Sequence, residues 1–141
     1  MATYTASAAQ PGVQPRGLRV GLVARTVIYS IGASQAAGDV IQMCKVPAGA
    51  TPVFMLVQGV TVSGSKIFKV GDGITPGRYM AGASISIAGF TQNFLGNGVN
   101  YVPYTYTTDD TIDITLSVLS ISATAASGGY NLTAIFSMDA V

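Results

Sequence analysis

The last part of the chain alternates apolar and polar residues with a period of two, and this constrains the fold more than any other feature. Between residues 129 and 141 one face carries Tyr130, Leu132, Ala134, Phe136 and Met138, and the other carries the polar residues Asn131, Thr133, Ser137 and Asp139. An earlier run, over residues 112–118, alternates in the same way. Its apolar residues are Ile112, Ile114, Leu116 and Val118, and its polar residues are Asp113, Thr115 and Ser117. Successive side chains of a strand point to opposite faces, so both runs predict strands of a half-buried antiparallel sheet. The apolar set shifts by one residue at Leu119, which predicts a bulge or bend near Val118-Leu119.

Six further segments have the composition of strands, and none has a helical period. They are residues 19–31, 39–46, 52–62, 65–70, 84–88 and 101–107. The last is predicted as an edge strand because Pro103 has no N–H to donate. Eight strands separated by turn residues predict an all-β fold, an antiparallel β-sandwich of jelly-roll type or else a small barrel.

Residues 1–17 are small and polar and contain two prolines, so we expect an extended N-terminal arm before a single domain over residues 18–141.

Composition excludes most kinds of chemistry. The 141 residues include no histidine, no glutamate and a single cysteine, and only 9% are charged. A zinc site of the usual kind and a catalytic triad with a histidine base therefore lack their residues. Cys44 has no disulfide partner within the chain and lies in an apolar segment, so we expect it to be buried and unreactive. We predict no enzymatic activity, no cofactor and no metal.

Two long stretches carry no charge, yet neither has the content of a membrane span. Residues 79–108 and 114–138 are interrupted by glycine, asparagine, serine or proline, whereas a spanning helix needs a nearly continuous apolar run. The first residues lack a basic segment followed by an apolar one, which predicts no signal peptide. We expect no membrane partner, and a hydrophobic fraction of 49% is enough to bury a core.

Positive charge is concentrated at the beginning of the chain. Residues 1–38 contain Arg16, Arg19 and Arg25 and no acid, whereas the whole chain has a net charge of only +1. Such weak repulsion between copies favours self-association. The three arginines are candidates for contact with a partner surface, although an exposed strand face without any partner is the favoured interpretation. Nucleic-acid binding is not predicted, because the basic residues are sparse and not mixed with aromatic ones.

The six acidic residues are all aspartates, and three of them form the densest cluster. Asp109, Asp110 and Asp113 offer oxygen ligands of the kind that Ca²⁺ takes, but a solvated turn before a strand is far commoner and is the favoured interpretation. Asp39 follows a glycine and Asp72 lies between two glycines, so we expect both to accept hydrogen bonds from their own turns. No phosphate-binding loop is predicted around Asp72, because no Lys-Ser/Thr and no helix follow.

Tyr101, Tyr104 and Tyr106 are the closest group of aromatic residues in the chain. Tyrosine buries a large apolar ring and keeps a polar end, so such a group suits a sugar-binding or protein-binding face. Packing in the core and along an edge strand is the simpler interpretation, and we favour it.

The middle of the chain carries a resemblance to a known class of proteins. The motifs are Gly38-Asp39-Val40-Ile41, Val46-Pro47-Ala48-Gly49-Ala50, and Val70-Gly71-Asp72-Gly73 followed by Arg78-Tyr79. Over residues 38–79 the chain resembles the small head-decoration (cement) and related virion structural proteins of tailed bacteriophages. The resemblance implies a β-sandwich on the outer capsid surface, commonly a homotrimer, made in the host bacterial cytoplasm. It also implies that the partners are the major capsid protein and further copies of the chain.

If the resemblance holds, the early residues are expected to meet the capsid, and Arg16, Arg19 and Arg25 are the candidate contact residues. Two other functions remain open at this point. One is a lectin-like binding module of a phage fibre or spike that uses the region from Tyr101 to Tyr106. The other is a subunit of a self-assembling shell or tube.

Overall fold

A computed structural model describes residues 1–6, 21–30, 36–60, 66–85, 91–93, 103–119 and 129–138. Within these ranges the secondary structure is entirely β. The strands are β1 (Thr3–Thr5), β2 (Gly21–Ser30), β3 (Val40–Val46), β4 (Ala50–Val60), β5 (Lys66–Gly71), β6 (Met80–Ile85), β7 (Thr91–Asn93), β8 (Asp110–Leu119) and β9 (Gly129–Met138). No helix in the described part has the length and apolarity needed to cross a membrane.

The strands form two sheets through a nested pattern of pairing. One sheet has the order β1-β3-β8-β5-β6 and the other the order β2-β9-β4-β7. Strand β2 pairs with β9, β3 with β8, β4 with β7 and β5 with β6, always antiparallel. The chain therefore behaves as one long hairpin that is wrapped so that its successive pairs alternate between the two sheets. This is the jelly-roll form of β-sandwich, which confirms the predicted fold class.

The core lies between the two sheets and is built from the rows that the alternation predicts. The inward row of β9 is buried and consists of Tyr130, Leu132, Ala134, Phe136 and Met138. Ile112, Ile114 and Leu116 of β8 are buried as well. The rings of Phe68 and Tyr130 meet across the core, with centroids 5.9 Å apart and tilted by 58°. Burying a side chain of this size stabilises the fold by about 1.5–3 kcal/mol. These rows therefore hold the two sheets together.

The predicted bulge is confirmed where the apolar set changes side. In the pairing of β5 with β8, Ile67 lies opposite Val118 but Phe68 lies opposite Leu116, so Ser117 is the extra residue. A second shift in β3, between Gln42 and Cys44, allows two adjacent residues of that strand to be buried. Bulges of this kind bend a strand and re-aim its side chains without ending the sheet.

The first residues form a short strand. Strand β1 pairs with β3 in parallel, and the Ala2 N–H donates to Asp39 Oδ1 at 2.7 Å. Ala6 is buried in the core cluster. Residues 1–6 therefore contribute to the sheet, and the division of the chain into an arm over residues 1–17 and a domain over 18–141 stays a prediction, since residues 7–20 lie outside the described ranges.

Two sequence predictions need correction. Residues 103–107 do not form an edge strand. This segment makes two hydrogen bonds at the start of β4, from Tyr106 N–H to Ala50 O (3.0 Å) and from Gly49 N–H to Tyr106 O (2.7 Å). The strand predicted at residues 84–88 begins four residues earlier, at Met80, because it pairs with β5 from there. Its predicted end, at residues 86–88, lies outside the described residues.

Candidate functional site

A tight loop follows β5 and folds back over the outer face of the five-stranded sheet. At Gly71 an added Cβ would lie 2.1 Å from the carbonyl oxygen of Thr75, so only glycine fits this close approach. Asp72 holds the loop, because its Oδ1 accepts hydrogen bonds from the N–H groups of Ile74 (3.1 Å) and Thr75 (2.6 Å). The prediction that Asp72 caps its own turn is confirmed.

The other oxygen of Asp72 joins the loop to a group of aromatic side chains. Asp72 Oδ2 forms an ion pair with Arg78 Nε and accepts a hydrogen bond from the Tyr106 hydroxyl at 3.3 Å. The Tyr79 and Tyr106 hydroxyls lie 2.6 Å apart, and the Arg78 guanidinium lies 3.7 Å from the centre of the Tyr104 ring. We call these five residues the tyrosine–arginine cluster. It fixes the loop after β5 to the segment before β8.

Burial and charge within the cluster determine its protonation. Burial raises the pKa of Tyr106, and the hydrogen bond with Tyr79 adds to this, so the phenol stays protonated. Burial lowers the pKa of Arg78, but the hydrogen bond and the negative charge of Asp72 outweigh it, and the net direction is upward. The cluster therefore holds one ion pair and a protonated Tyr106, which suits a rigid support.

This support presents an apolar tip to the surroundings. Ile74, at the turn of the loop, is 77% exposed, and Pro76 beside it is also exposed. A large apolar side chain on a rigid loop loses little conformational freedom when a partner covers it. The tip is therefore suited to contact with another protein.

The predicted tyrosine face is only partly accessible. Tyr106 is 2% exposed and belongs to the core cluster, while Tyr104 is half-buried with its ring packed edge-on against Tyr106 at 5.0 Å. Tyr101 lies outside the described residues. Of the two tyrosines of this group that lie within the described residues, Tyr104 reaches the surface and Tyr106 does not.

The three clustered aspartates have three different environments. Asp109 Oδ1 accepts from the Ala48 N–H at 2.9 Å, and Asp110 Oδ1 accepts from the Thr111 N–H at 2.8 Å. Asp113 is directed to a different part of the sheet. Over the described ranges, no three acidic or cysteine side chains are grouped as metal ligands would be.

Asp113 was expected on a solvated face, and this expectation is wrong. It does point away from the core, as the alternation predicts, but Gly71 lies beside it on β5 and the loop of residues 72–76 folds over that position. Asp113 is consequently only 3% exposed. Burial raises its pKa to about 7; a hydrogen bond from Thr111 acts in the opposite direction, and the negative charges of Asp110 and Asp72 add to the rise.

Asp39 and Cys44 match their predictions. Asp39 accepts hydrogen bonds from the N–H groups of Ala36 (2.9 Å) and Ala2 (2.7 Å), and these bonds lower the pKa of its carboxyl. Cys44 is buried, and burial raises the pKa of its thiol to about 12. The thiol is therefore protonated and shielded near neutral pH.

Of the three candidate arginines, one lies within the described residues. Arg25 is half-buried and shares the inward row of β2 with Val23 and Val27, close enough to Cys44 for its charge to act on the thiol. Arg16 and Arg19 lie outside the described residues. The contact role of all three stays a prediction.

The outward face of the second sheet was missed by the sequence analysis. Leu22 and Ile28 of β2 are 72% and 65% exposed, although both are large and apolar. Their outward neighbours on β9 and β4 carry no charge either. We call this set the uncharged face: Leu22, Ala24, Thr26, Ile28, Asn131, Thr133, Ile135, Ser137, Thr51, Phe54, Leu56 and Gln58. The available signal was that β2 has large apolar residues on both of its alternating sides, Leu22 and Ile28 on one and Val23 and Val27 on the other, whereas a half-exposed strand normally has one polar side.

Polar groups on the uncharged face bind one another. The hydroxyls of Thr26 and Thr133 lie 3.0 Å apart, and the Asn131 side-chain amide donates to Gln58 Oε1 at 3.1 Å. A partner that covers this face therefore has few polar groups to desolvate without compensation.

The described strands form a two-sheet jelly-roll sandwich, and the comparison with solved structures finds the same fold among chains of phage capsids. The chain is similar to one in the capsid of Ralstonia phage GP4, with 16% identity, a TM-score of 0.76 and coverage of 99% of both chains.

Two further phage structures share the fold. A chain of the cyanophage Pam1 capsid asymmetric unit has 16% identity and a TM-score of 0.65, with 93% of this chain and 96% of that chain covered. A chain of the acid-stable capsid of Helicobacter pylori bacteriophage KHP30 has 12% identity and a TM-score of 0.55, with 83% and 89% covered. No protein-family model and no curated protein sequence matches the chain. The resemblance to phage virion proteins is thus confirmed at the level of the fold.

Proposed function

We propose that the protein is a non-enzymatic structural component of a tailed-bacteriophage virion. In this proposal it is a decoration (cement) protein, made in the cytoplasm of the host bacterium, that lies on the outer capsid surface and clamps neighbouring capsid subunits. The observation that carries the proposal is the similarity in fold to a chain of the GP4 capsid over 99% of both chains. Such coverage leaves no further domain of that capsid chain unmatched.

The mechanism is cross-linking of the shell. A packed genome pushes outward on subunits whose interfaces have limited strength, and a clip that bridges two subunits adds buried area. If three copies are linked, each further contact forms at a high effective concentration even when it is weak. A homotrimer of the 14.4 kDa chain, about 43 kDa, suits the three-fold positions of a capsid.

The uncharged face supports this role because it suits coverage by a neighbouring protein. Leu22 and Ile28 stand exposed on a surface without charges, so a neighbour removes apolar area from water and buries no ion. Ile74 at the loop tip is a second exposed apolar contact. We assign the face and the tip to contacts with neighbouring subunits in the particle.

Capsid binding tests the proposal directly. Capsids are prepared from particles of the encoding phage that lack this protein. Purified protein is added to them, and binding is measured by co-sedimentation. We expect saturable binding that Leu22→Lys and Ile28→Lys weaken at least tenfold, while the urea midpoint of the free protein is unchanged. Ala81→Lys is the matched control, because it adds the same charge at an exposed position of the other sheet. No binding of the unaltered protein would contradict the proposal.

The arginines give the electrostatic part of the same experiment. Arg16→Ser combined with Arg19→Ser is expected to weaken capsid binding at low salt and to reduce its salt dependence, because exposed charge pairs are screened by salt. Arg25→Ser is measured separately, since Arg25 is half-buried. An unchanged salt dependence in all variants would remove the arginines from the contact surface.

The mass in solution separates the proposal from the alternatives. Light scattering is expected to give a species of about 43 kDa, three times the 14.4 kDa chain. Closed particles formed by the protein alone would favour a self-assembling shell subunit. A monomer at every concentration would argue against the trimer, and a glycan array with a Tyr104→Ala comparison would then test the lectin-like alternative.

A further inference from the structure

A cavity of about 290 Å³ lies on the outer face of the five-stranded sheet, beside the loop that follows β5. Val40 and Pro76 are among its apolar walls, and Gln42, Asp113 and Thr115 are among its polar ones. The three polar residues come from two adjacent strands, since Gln42 pairs with Asp113 and Val40 with Thr115. The sheet therefore fixes their relative positions.

The polar groups of this cavity have unused hydrogen-bonding capacity. Asp113 is only 3% exposed, yet its Oδ1 accepts no hydrogen bond within the described part of the protein, and neither does Thr115 Oγ1. A buried carboxylate oxygen without a donor is costly, and native proteins usually pair such groups. The site thus holds two adjacent buried acceptors without a donor, and a ligand in the cavity reaches them when their side chains turn toward it.

The neighbouring charged groups do not compensate the negative charge of Asp113. Met1 also lines the cavity and carries the α-amino group of the chain, but the charge of this group acts on Asp39 and is not among the charges that act on Asp113. Asp72 also lines the cavity, but it is engaged by Arg78, by Tyr106 and by its own loop. Asp110 adds a further negative charge nearby. Lys69 lies opposite Thr115 on β5 and is exposed, and in the described residues it makes no ion pair with Asp113. A cation is therefore the ligand that the electrostatics favour.

The shape and donor requirements select among cations. A hard ion such as Ca²⁺ takes six to eight oxygen ligands. Besides Asp72, which is engaged, the side chains of this cavity supply the free carboxylate oxygen of Asp113, the hydroxyls of Thr3 and Thr115, and the amide oxygen of Gln42, which already accepts a long hydrogen bond from Thr5 Oγ1 at 3.5 Å. A primary ammonium has three N–H donors, and Asp113, Thr115 and Gln42 are acceptors for them. Val40 and Pro76 provide an apolar wall for an aliphatic stem, as long basic side chains require.

We propose that this cavity binds a primary alkylammonium group, with Asp113 as its counter-ion and Thr115 and Gln42 as further acceptors. Two sources share this chemistry. One is a lysine side chain of a neighbouring protein, and the other is a free polyamine. The site does not depend on the proposed role in the capsid, because it is defined by residues of the single chain.

The first test is a titration of the full chain with n-butylammonium at pH 8. Binding is monitored through the backbone amide chemical shifts of the protein. We expect saturable shifts at Thr3, Gln42 and Thr115, with a dissociation constant on the order of 1 mM for so small a ligand. Tetramethylammonium, which has no N–H donor, is expected to cause no such shifts. Equal effects of the two ions, or shifts spread over the whole surface, would overturn the proposal.

Variants keep the test specific to the cavity. Asp113→Asn is expected to weaken butylammonium binding at least tenfold, and Thr115→Val by several-fold. Asp109→Asn is the matched control, since Asp109 is exposed and binds the turn at Ala48 instead. Unchanged binding by Asp113→Asn, with its other amide shifts intact, would refute the assignment. If that variant failed to fold, Thr115→Val alone would decide.

The two sources are separated by a second arm. Nα-acetyl-lysine amide and cadaverine are compared as ligands, and Asp113→Asn is tested for capsid binding. Loss of both alkylammonium and capsid binding identifies a lysine of the capsid as the natural ligand. Loss of alkylammonium binding alone identifies a free polyamine. Absence of any alkylammonium binding disproves the site and leaves the proposed capsid role to be judged by co-sedimentation of the unaltered protein.

Discussion

The substitution Asp113→Asn gives the sharpest prediction for the folded chain, because it converts a buried titrating group into a neutral one of the same shape. Burial raises the pKa of Asp113 from 3.8 to about 7. Between these two values the folded protein keeps a proton that the unfolded chain has lost. The free energy of unfolding therefore falls as pH rises through this window and levels off above pH 7.

The size of the effect follows from the same two values. Each pH unit in the window costs about 1.4 kcal/mol, so the full difference between 3.8 and about 7 amounts to at most about 4 kcal/mol. Asp113→Asn removes this dependence. We expect the variant to have nearly the stability of the unaltered protein at pH 4 and to be more stable at pH 8, by up to about 4 kcal/mol.

Urea denaturation followed by far-UV circular dichroism measures this difference, at one protein concentration and at several pH values from about 4 to about 8.5. Asp39 has a lowered pKa and loses its contribution as pH falls, but it is present in every variant and cancels in the comparison. Asp109→Asn is the control and is expected to follow the unaltered protein. A difference between Asp113→Asn and the unaltered protein that does not change with pH would refute the reasoning.

Three other predictions concern the loop and the core. Gly71→Ala should lower the free energy of unfolding by more than about 2 kcal/mol, because the added methyl group meets the Thr75 carbonyl. Gly82→Ala is the control: its methyl group meets no atom within 4 Å, so it should change the free energy of unfolding by less than about 0.5 kcal/mol. Equal effects of the two substitutions in urea denaturation would contradict this. Asp72→Asn should cost about 3 kcal/mol by leaving a part-buried guanidinium without its counter-ion, and a loss below about 1 kcal/mol would show that the cluster is not the support of the loop. Cys44 should react with a thiol reagent such as dithionitrobenzoate only after unfolding in urea, and rapid reaction of the folded protein would show that β3 opens.

The strands that face the core could be predicted from the sequence because their signal is local. The alternation along β9 and β8 places each side chain by parity alone, and the change of side near Val118 is visible as two adjacent apolar residues. The nested pairing of β2 with β9 has no such local signal. It depends on contacts between residues about a hundred or more positions apart.

The site was harder to predict for the same reason. The turn at Asp72 is local, and the glycines on either side identify it. The burial of Asp113 is not local, since parity correctly turns its side chain away from the core but the covering loop comes from a different hairpin. Tyr104 and Tyr106 show the same limit, because two positions of equal parity in one alternating segment differ in burial: Tyr104 is half-buried and Tyr106 is buried.

The nested pairing also sets the order in which the protein can fold during synthesis. Strand β2 ends at Ser30, but its partner β9 spans Gly129–Met138, so about a hundred residues must be made before the two can meet. At typical bacterial elongation speeds this takes on the order of ten seconds. Throughout that interval the apolar residues on both sides of β2 have no sheet to join. Nascent chains are therefore exposed to wrong pairing with one another, and slower accumulation of the protein in the cell should raise the yield of the folded form.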